Sequence, residues 1–411
     1  MARILILIGS HLCLAPRPQK EASAFAEAGH EVTIAGSWFD SKYAAWDEFL
    51  VAHAPYDFIK VADVRPNAPS SHLHRWASRL RRYFARQRFA RTGTFAPELL
   101  GLFPREGLQF ARNFRADLTI AHWEGGMWAA TRLQRAGHRV GVDYEDWFSE
   151  DVLPADRVWR PCAVLREMEA SLLRSCRYAL TTSHAMAAGL QQTLAAPAPG
   201  VVYNTFPDAP LDGRRLDRLD SAVPSLHWFS QTIGPNRGLD TLFAALPLLH
   251  HRCTVTLRGQ LPPAYSGWLD AIIPGDWRAS LRLLPLVPNS ELPSRLAEHD
   301  VGLALEQADN TSHDLTISNK FFQYLQAGLA VIVTDTQGQQ EGAHQAPEAC
   351  SLIPQRNAAA LASAIDDLLA DPPRLARTKA AARLAAKSVF AWEHQQKVII
   401  NRAQEALLAA S

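Results

Sequence analysis

The sequence predicts an α/β protein with two parallel sheets, on three observations. Short apolar, β-branched runs alternate with helical stretches from the first residues onward. The alternation breaks at a segment rich in Pro, Asp and Arg, PDAPLDGRRLDRLDSAVPS (207–225), and then restarts. At 411 residues, the chain also exceeds what one hydrophobic core usually organises. Taken in order, RILILIG (3–9) is a buried strand and SHLCLAP a loop. PRPQKEASAFAEAG is a helix beginning near Arg17 and ended by Gly29, and EVTIAG (31–36) is the next strand. Such a strand–helix–strand unit builds a parallel sheet covered on both faces. DLTIAH (117–122), RVGVDY (139–144), YALTTS (178–183) and GVVYN (200–204) continue it. The second series is LHWFS (226–230), CTVTLRG (253–259), LRLLPLV (281–287), VGLALE (301–306) and AVIVTD (330–335). LASAIDDLLADPPRLARTKAAARLAAK and a helix around 393–409 close the chain. Ligands of such sheets sit beyond the C-terminal strand ends, so the site is expected in a cleft between the two domains.

Composition narrows the class. Hydrophobic residues make up 47% and charged residues 20%, which excludes a disordered chain. The formal net charge of +1 gives no overall field for nucleic acid. Cys13, Cys162, Cys176, Cys253 and Cys350 are scattered, odd in number and without metal-ligand spacing, as expected of a reduced cytoplasmic protein. The apolar run in MARILILIGS is too short for a signal peptide, and none reaches the ~18 residues that span a bilayer. A soluble protein, or one attached at most to a membrane surface, is expected.

One stretch combines helix signals with charge: TISNKFFQYLQAGLAVIVT (316–334). Ser318 can cap a helix that Gly328 ends, and AVIVT reads as a buried strand. Lys320 and Gln323 are three residues apart on one face of the first turn, opposite Phe321, Phe322, Tyr324 and Leu325. A helix start projects unpaired amides and partial positive charge, a ready anion site with a cation and an amide beside it. The residues alone leave a second reading open, an amphipathic helix with solvated Lys and Gln.

A second stretch, HLHRWASRLRRYFARQRFAR (72–91), contains seven arginines. Leu73, Trp76, Leu80, Tyr83 and Phe84 fall at helical spacing on one side, with Arg75, Arg79, Arg82 and Arg86 on another. Such a helix either lies on an anionic membrane surface or packs on the sheet with its arginines solvated.

The order of segments resembles a retaining glycosyltransferase of the GT-B fold, most similar to glycosyltransferase family 4 (glycosyl transferases group 1). FSQTIGPNRGLDTLFAAL (229–246) resembles the family's glycine-rich turn, basic residue and helix. LVPNSELPSRLAEHDVGLAL (286–305) resembles the segment before the donor site, and SNKFFQYLQAGLAVIVTDTQGQQE (318–341) the donor-binding helix and strand. PRPQKEASAFAEAGHEVTI, AHWEGG and VVYNTF are similar to the family's first half. The resemblance implies two Rossmann-like α/β/α domains facing each other across a cleft. Residues 1–206 would bind the acceptor and 207–385 the nucleotide sugar, while the terminal helix 386–411 can pack back on the first domain. It implies a hexosyl-type transferase in bacterial surface polysaccharide or glycoconjugate synthesis, cytoplasmic or peripheral on the inner face of the membrane. The partners implied are a nucleotide-diphospho-sugar as co-substrate and a glycan or lipid-linked acceptor, with no other cofactor, no metal and no nucleic acid.

Residue by residue, the resemblance places Arg237, in the PNRG turn, where the family binds the diphosphate. It places Lys320 at the diphosphate or nucleotide side, and Gln323 at the glutamate that holds the ribose hydroxyls. Gln231, Gly234, Ser318 and Asn319 fall within the donor segments. His122, in the AHWEGG segment, resembles the histidine that faces the sugar. Gly9 follows the first strand, where a side chain would crowd a ligand, though turn chemistry serves equally. Glu145 and Asp146 lie beyond another strand and reach either acceptor hydroxyls or solvent. The family's paired glutamates correspond here to Leu315 and Gln323, and its usual arginine to Gln231. Glu306, or the cluster Asp309, Asn310 and Asp314, are substitutes in the same loop. These departures keep two alternatives open, a catalytically silent sugar-nucleotide-binding partner subunit and a GT-B-fold nucleotide-sugar epimerase.

Overall fold

The computed structural model describes residues 1–66, 71–208, 210–211, 213, 217–220 and 222–408, without the side chains of 71–74 and 154–155. The chain forms two compact units, Met1–Val202 with Gln396–Ser411, and Tyr203–Gln395. The first boundary therefore falls four residues before the expected 206/207, and the return to the first unit ten residues after 386. The segment 207–225 lies partly outside the described residues. Its Arg218 pairs with Asp300 at 2.9 Å and Asp217 pairs with Arg258, which ties this stretch to the second unit.

In the first unit, seven strands form one parallel sheet: β1 Arg3–Leu7, β2 Glu31–Trp38, β3 Asp57–Asp63, β4 Leu118–Ala121, β5 Val140–Tyr144, β6 Tyr178–Thr181 and β7 Gly200–Val201. Their order is β3-β2-β1-β4-β5-β6-β7. Register sets Ile4 between Val32 and Leu118, and Ile6 between Ile34 and Ile120. These residues are fully or almost fully buried, each contributing about 1.5–3 kcal/mol of burial. A central strand with no polar residue after Arg3 is what a sheet covered on both faces demands.

The second unit repeats the arrangement with β8 Ser225–Thr232, β9 Thr254–Gln260, β10 Leu281–Leu284, β11 Val301–Ala304, β12 Ala330–Thr334 and β13 Cys350–Ile353. The order is β10-β9-β8-β11-β12-β13, again all parallel. Trp228, Leu257, Leu303 and Ile332 pack with Leu242, Phe243, Leu361 and Ile365 from the helices Leu239–Ala245 and Ala358–Leu369. In both sheets the strand order turns at the middle, between β1 and β4 and between β8 and β11. A crevice opens at the C-terminal strand ends at such a point.

The strands β3 and β13 are absent from the sequence reading. Both are edge strands with partly exposed patterns, so neither carries a continuous apolar run. GVVYN shortens to the two residues of β7. The terminal helix Trp392–Leu408 enters the first unit at Gln396, whose amide donates to Glu27 at 2.6 Å.

Candidate functional site

In the second unit, Glu306 bonds the start of the helix Asn319–Ala327 through Ser318 and Lys320 and feels the charge of Arg237 from the turn after β8. The chain leaves β8 through Gln231 and Gly234, turns at Asn236 (φ 60°) and Gly238 (φ 77°), and enters the helix Leu239–Ala245. A Cβ on Gly238 would lie 2.3 Å from the Leu305 carbonyl oxygen, so only glycine fits where this turn meets the end of β11. Arg237 and Gln231 are exposed. Arg237 Nη1 donates to Ser230 Oγ at 3.2 Å, and its carbonyl accepts from Trp228 Nε1 at 3.3 Å.

Two residues past β11, Glu306 Oε1 accepts from Ser318 Oγ at 2.8 Å and from Lys320 Nζ at 2.5 Å. Ser318 also caps the helix, accepting from the Lys320 amide at 3.3 Å, and Gly328 closes it with φ 74°. Asn319 Oδ1 accepts from Asn204 Nδ2 at 2.7 Å. Lys320 and Gln323 are only 8% and 6% exposed, which rules out the solvated reading: this helix is buried from Lys320 to Ala327. Burial works to raise the Glu306 carboxyl, but the charge and hydrogen bond of Lys320, the Ser318 hydroxyl and the charge of Arg237 outweigh it and lower it overall. The cluster thus carries one carboxylate and two cations at a helix N-terminus.

Gln323 Oε1 is buried and has no partner among the described residues; the same holds for Gln307 Oε1 and Gln339 Oε1. A buried acceptor without a donor costs stability unless something supplies one, and a ligand hydroxyl can. The proposed substitutes for the missing acid separate clearly. Asp309 pairs with Arg356, Asn310 caps the helix Thr311–Leu315, and Asp314 accepts from Gln337 at 2.6 Å. Leu315 is buried. Of the four, Glu306 alone bonds Lys320.

In the first unit, His122 follows β4 and is 5% exposed. Its Nε2 is bonded to Glu21 and its Nδ1 lies 2.8 Å from Glu145 Oε1. Burial would lower this imidazole, but the Glu21 charge, the bonds to Glu145 and Glu21 and the Asp143 charge raise it to about 10. His122 is therefore an imidazolium at neutral pH with both nitrogens engaged. The accessible member of the pair is Glu145, whose side chain is 26% exposed. Around them, Tyr178 donates to Glu21, Arg17 Nε donates to Asp143 at 2.7 Å, and Lys20 is buried nearby, its ammonium lowered by burial and then by Arg17. The reason for Gly9 also appears: a Cβ there would meet the Trp123 ring at 2.8 Å. What a side chain would crowd is an indole of the same unit.

Residues 224–371 match the family model of Glycosyl transferases group 1. Among solved structures, the chain is similar to sucrose-phosphate synthase from Thermosynechococcus elongatus, with 15% identity, 100% of both chains covered and a TM-score of 0.75. It is similar to HepE from Anabaena, solved in complex with UDP-glucose, with 16% identity, 98% and 100% covered and a TM-score of 0.68. It is also similar to WaaG, a glycosyltransferase involved in lipopolysaccharide biosynthesis, with 14% identity, 96% and 98% covered and a TM-score of 0.62. Among curated protein sequences, none matches significantly. The fold is GT-B.

Within this GT-B chain, the group 1 segment contains Arg237, Glu306, Ser318, Asn319, Lys320 and Gln323. Glu21, His122 and Asp143 offer ligand atoms within 4.8 Å of one another. Their charges are already met by Arg17 and the His122 proton, so this donor set reads as an ion-pair cluster rather than a metal centre. Sequence reasoning missed Arg17, Lys20, Glu21 and Tyr178. The one signal available was Glu21 inside the apolar stretch EASAF, since a buried carboxylate needs a partner.

Proposed function

We propose that this protein transfers a hexosyl-type sugar from a nucleotide-diphospho-sugar to a glycan or lipid-linked acceptor with retention. The setting proposed is bacterial surface polysaccharide or glycoconjugate synthesis on the cytoplasmic side of the membrane, without a metal or further cofactor. The observation that carries the reading is the Arg237–Lys320–Glu306 cluster at a capped helix start inside a group 1 segment. Departure of the sugar leaves charge on the β-phosphate, and preorganised cations and helix amides lower the energy of that state. Glu306 holds the Lys320 side chain in place through their ion pair, while Arg237 stays exposed for the diphosphate. Gln323 Oε1, a buried acceptor in want of a donor, takes a ribose hydroxyl. The UDP-glucose complex of HepE and the lipopolysaccharide role of WaaG support a sugar nucleotide as donor and a surface glycan as acceptor.

In the first unit, Glu145, with Asp146 beside it beyond β5, takes acceptor hydroxyls, and the bond to His122 holds Glu145 in place. The leaving phosphate itself accepts the acceptor proton, so no protein nucleophile is required. A second reading, a silent sugar-nucleotide binder, draws on the buried, apolar Leu315 and the amide of Gln323 at positions where the family carries acids. Free nucleotide release from a panel of UDP-, GDP- and dTDP-sugars, with and without acceptor glycan, separates the two. Acceptor-dependent release supports transfer, and binding without release supports the silent reading.

A further inference from the structure

The helix Ser71–Thr92 is built inside out. Along its length, Ser78 and Ala85 are buried and Phe89 and Arg82 partly so, a 4-3-4 spacing that marks the side packed on the first unit. The opposite side carries the large apolar residues. Trp76 is 63% exposed, Leu80 49%, Tyr83 57% and Phe84 64%. A helix of a soluble domain normally turns its large apolar stripe inward and its small or charged residues outward. Here a 100° step per residue sets the stripe about half a turn from Ser78 and Ala85. The side chain of Leu73, expected in the same stripe, is not among those described.

Charge frames the stripe. At the same step, exposed Arg79 and Arg86 fall along one edge and exposed Arg81 and Arg88 along the other, with exposed Arg91 near the C-terminal end. Arg81 approaches Glu106 only at 3.9 Å, a surface contact worth little. The turn Pro154–Trp159 packs beside the helix and adds exposed Val158 and Trp159. The helix therefore presents aromatic and aliphatic side chains to solvent between two rows of arginines, and the neighbouring turn adds two more exposed apolar residues.

We infer that this face docks on the headgroup layer of a bilayer containing anionic lipid, with Trp76, Leu80, Tyr83 and Phe84 entering the interface and the flanking arginines meeting lipid phosphates. Trp and Tyr suit the boundary between headgroups and acyl chains, because each has an apolar body and a polar tip. Long arginine stems reach the phosphates from the edges of a buried stripe. No described helix is long and apolar enough to cross a membrane, so this is a mode of lying on the surface. The inference stands independently of the sugar-transfer reading.

Co-sedimentation of the full chain with vesicles of phosphatidylcholine alone, or with a third of the lipid replaced by phosphatidylglycerol, tests it. The expected result is strong binding to the anionic vesicles, weakened by salt. Each arginine near an anionic surface is worth about fivefold in partitioning, so Arg79→Gln with Arg86→Gln and Arg88→Gln weakens it by about 100-fold. Trp76→Ser with Phe84→Ser, at largely exposed positions, also abolishes sedimentation while leaving the melting temperature and nucleotide binding unchanged. Failure of the wild type to prefer anionic vesicles, or equal sedimentation of wild type and either variant, overturns the inference. A dimer in analytical ultracentrifugation that the Trp76→Ser, Phe84→Ser variant makes monomeric overturns it as well, by showing that a second copy covers the stripe.

Discussion

The ammonium of Lys320 and the carboxylate of Glu306 form an ion pair of 2.5 Å across two chain segments, β11 with its extension and the capped helix start. Neither is a free surface charge, since the two side chains are 10% and 23% exposed. Any change to Lys320 therefore has two consequences, on the anion site and on a carboxylate left behind.

Lys320→Ala lowers turnover by ~10²–10³ while weakening donor binding less, because the lost charge acts mostly on the departing diphosphate. It also costs about 1–3 kcal/mol of stability, the penalty of stranding a poorly solvated carboxylate. Adding Glu306→Ala recovers the melting temperature but not the turnover. Steady-state kinetics and thermal melts on both variants check this, and an active Lys320→Ala would reduce the pair to scaffold.

Gln323→Ala raises the donor KM with little change in kcat, as expected for a contact similar in ground and transition states. Gln323→Glu keeps activity and tightens the donor, since a carboxylate is the stronger acceptor for a diol. Donor titrations at saturating acceptor distinguish these outcomes from a purely structural role, in which both variants would lose stability and leave KM unchanged.

Glu145→Gln raises the acceptor KM without unfolding the chain, and it shifts an alkaline transition. His122 is held protonated to about 10, above its ordinary 6.5, so the stability this confers is full below pH 6.5 and lost as pH rises through 10. Removing one of its two carboxylates brings that loss to lower pH. Melting temperatures between pH 7 and pH 11 for wild type and variant provide the check, and superimposable profiles would count against the pairing.

The second unit has the opposite sensitivity. Burial, then repulsion from the charge His299 would carry if protonated, then Arg258, pushes His227 well below 6.5; burial and Arg258 push His299 down to about 3. Both rings, 4.5 Å apart, are neutral when folded and become protonated on unfolding. Stability therefore falls as pH drops below 6.5 toward 3. His299→Asn flattens that slope in melts at pH 7, 5 and 4.

Much of this was legible locally. Ser318 and Gly328 mark their helix because caps are made within a few residues, and β1, β11 and β12 show as apolar runs because both sheet faces are covered. The edge strands β3 and β13 were not legible, since half-exposed strands mix polar and apolar residues. Nor were the pairings of the first unit: Glu21 meets His122 across 101 residues and Arg17 meets Asp143 across 126, choices made by tertiary packing. The basic helix shows a different limit. Its periodicity reveals two faces, but nothing local says that the side with Ser78 and Ala85 turns inward.

Arg237 and Lys320 are the proposed binding site of a nucleotide diphosphate. Isothermal titration of UDP, GDP and dTDP into the protein, with no acceptor present, tests it most directly. Saturable heat is expected with at least one of the three, in the ~1 µM–1 mM range usual for enzyme substrates, and at least tenfold weaker binding by Arg237→Ala. No heat from any of the three, or undiminished binding by Arg237→Ala, would contradict it.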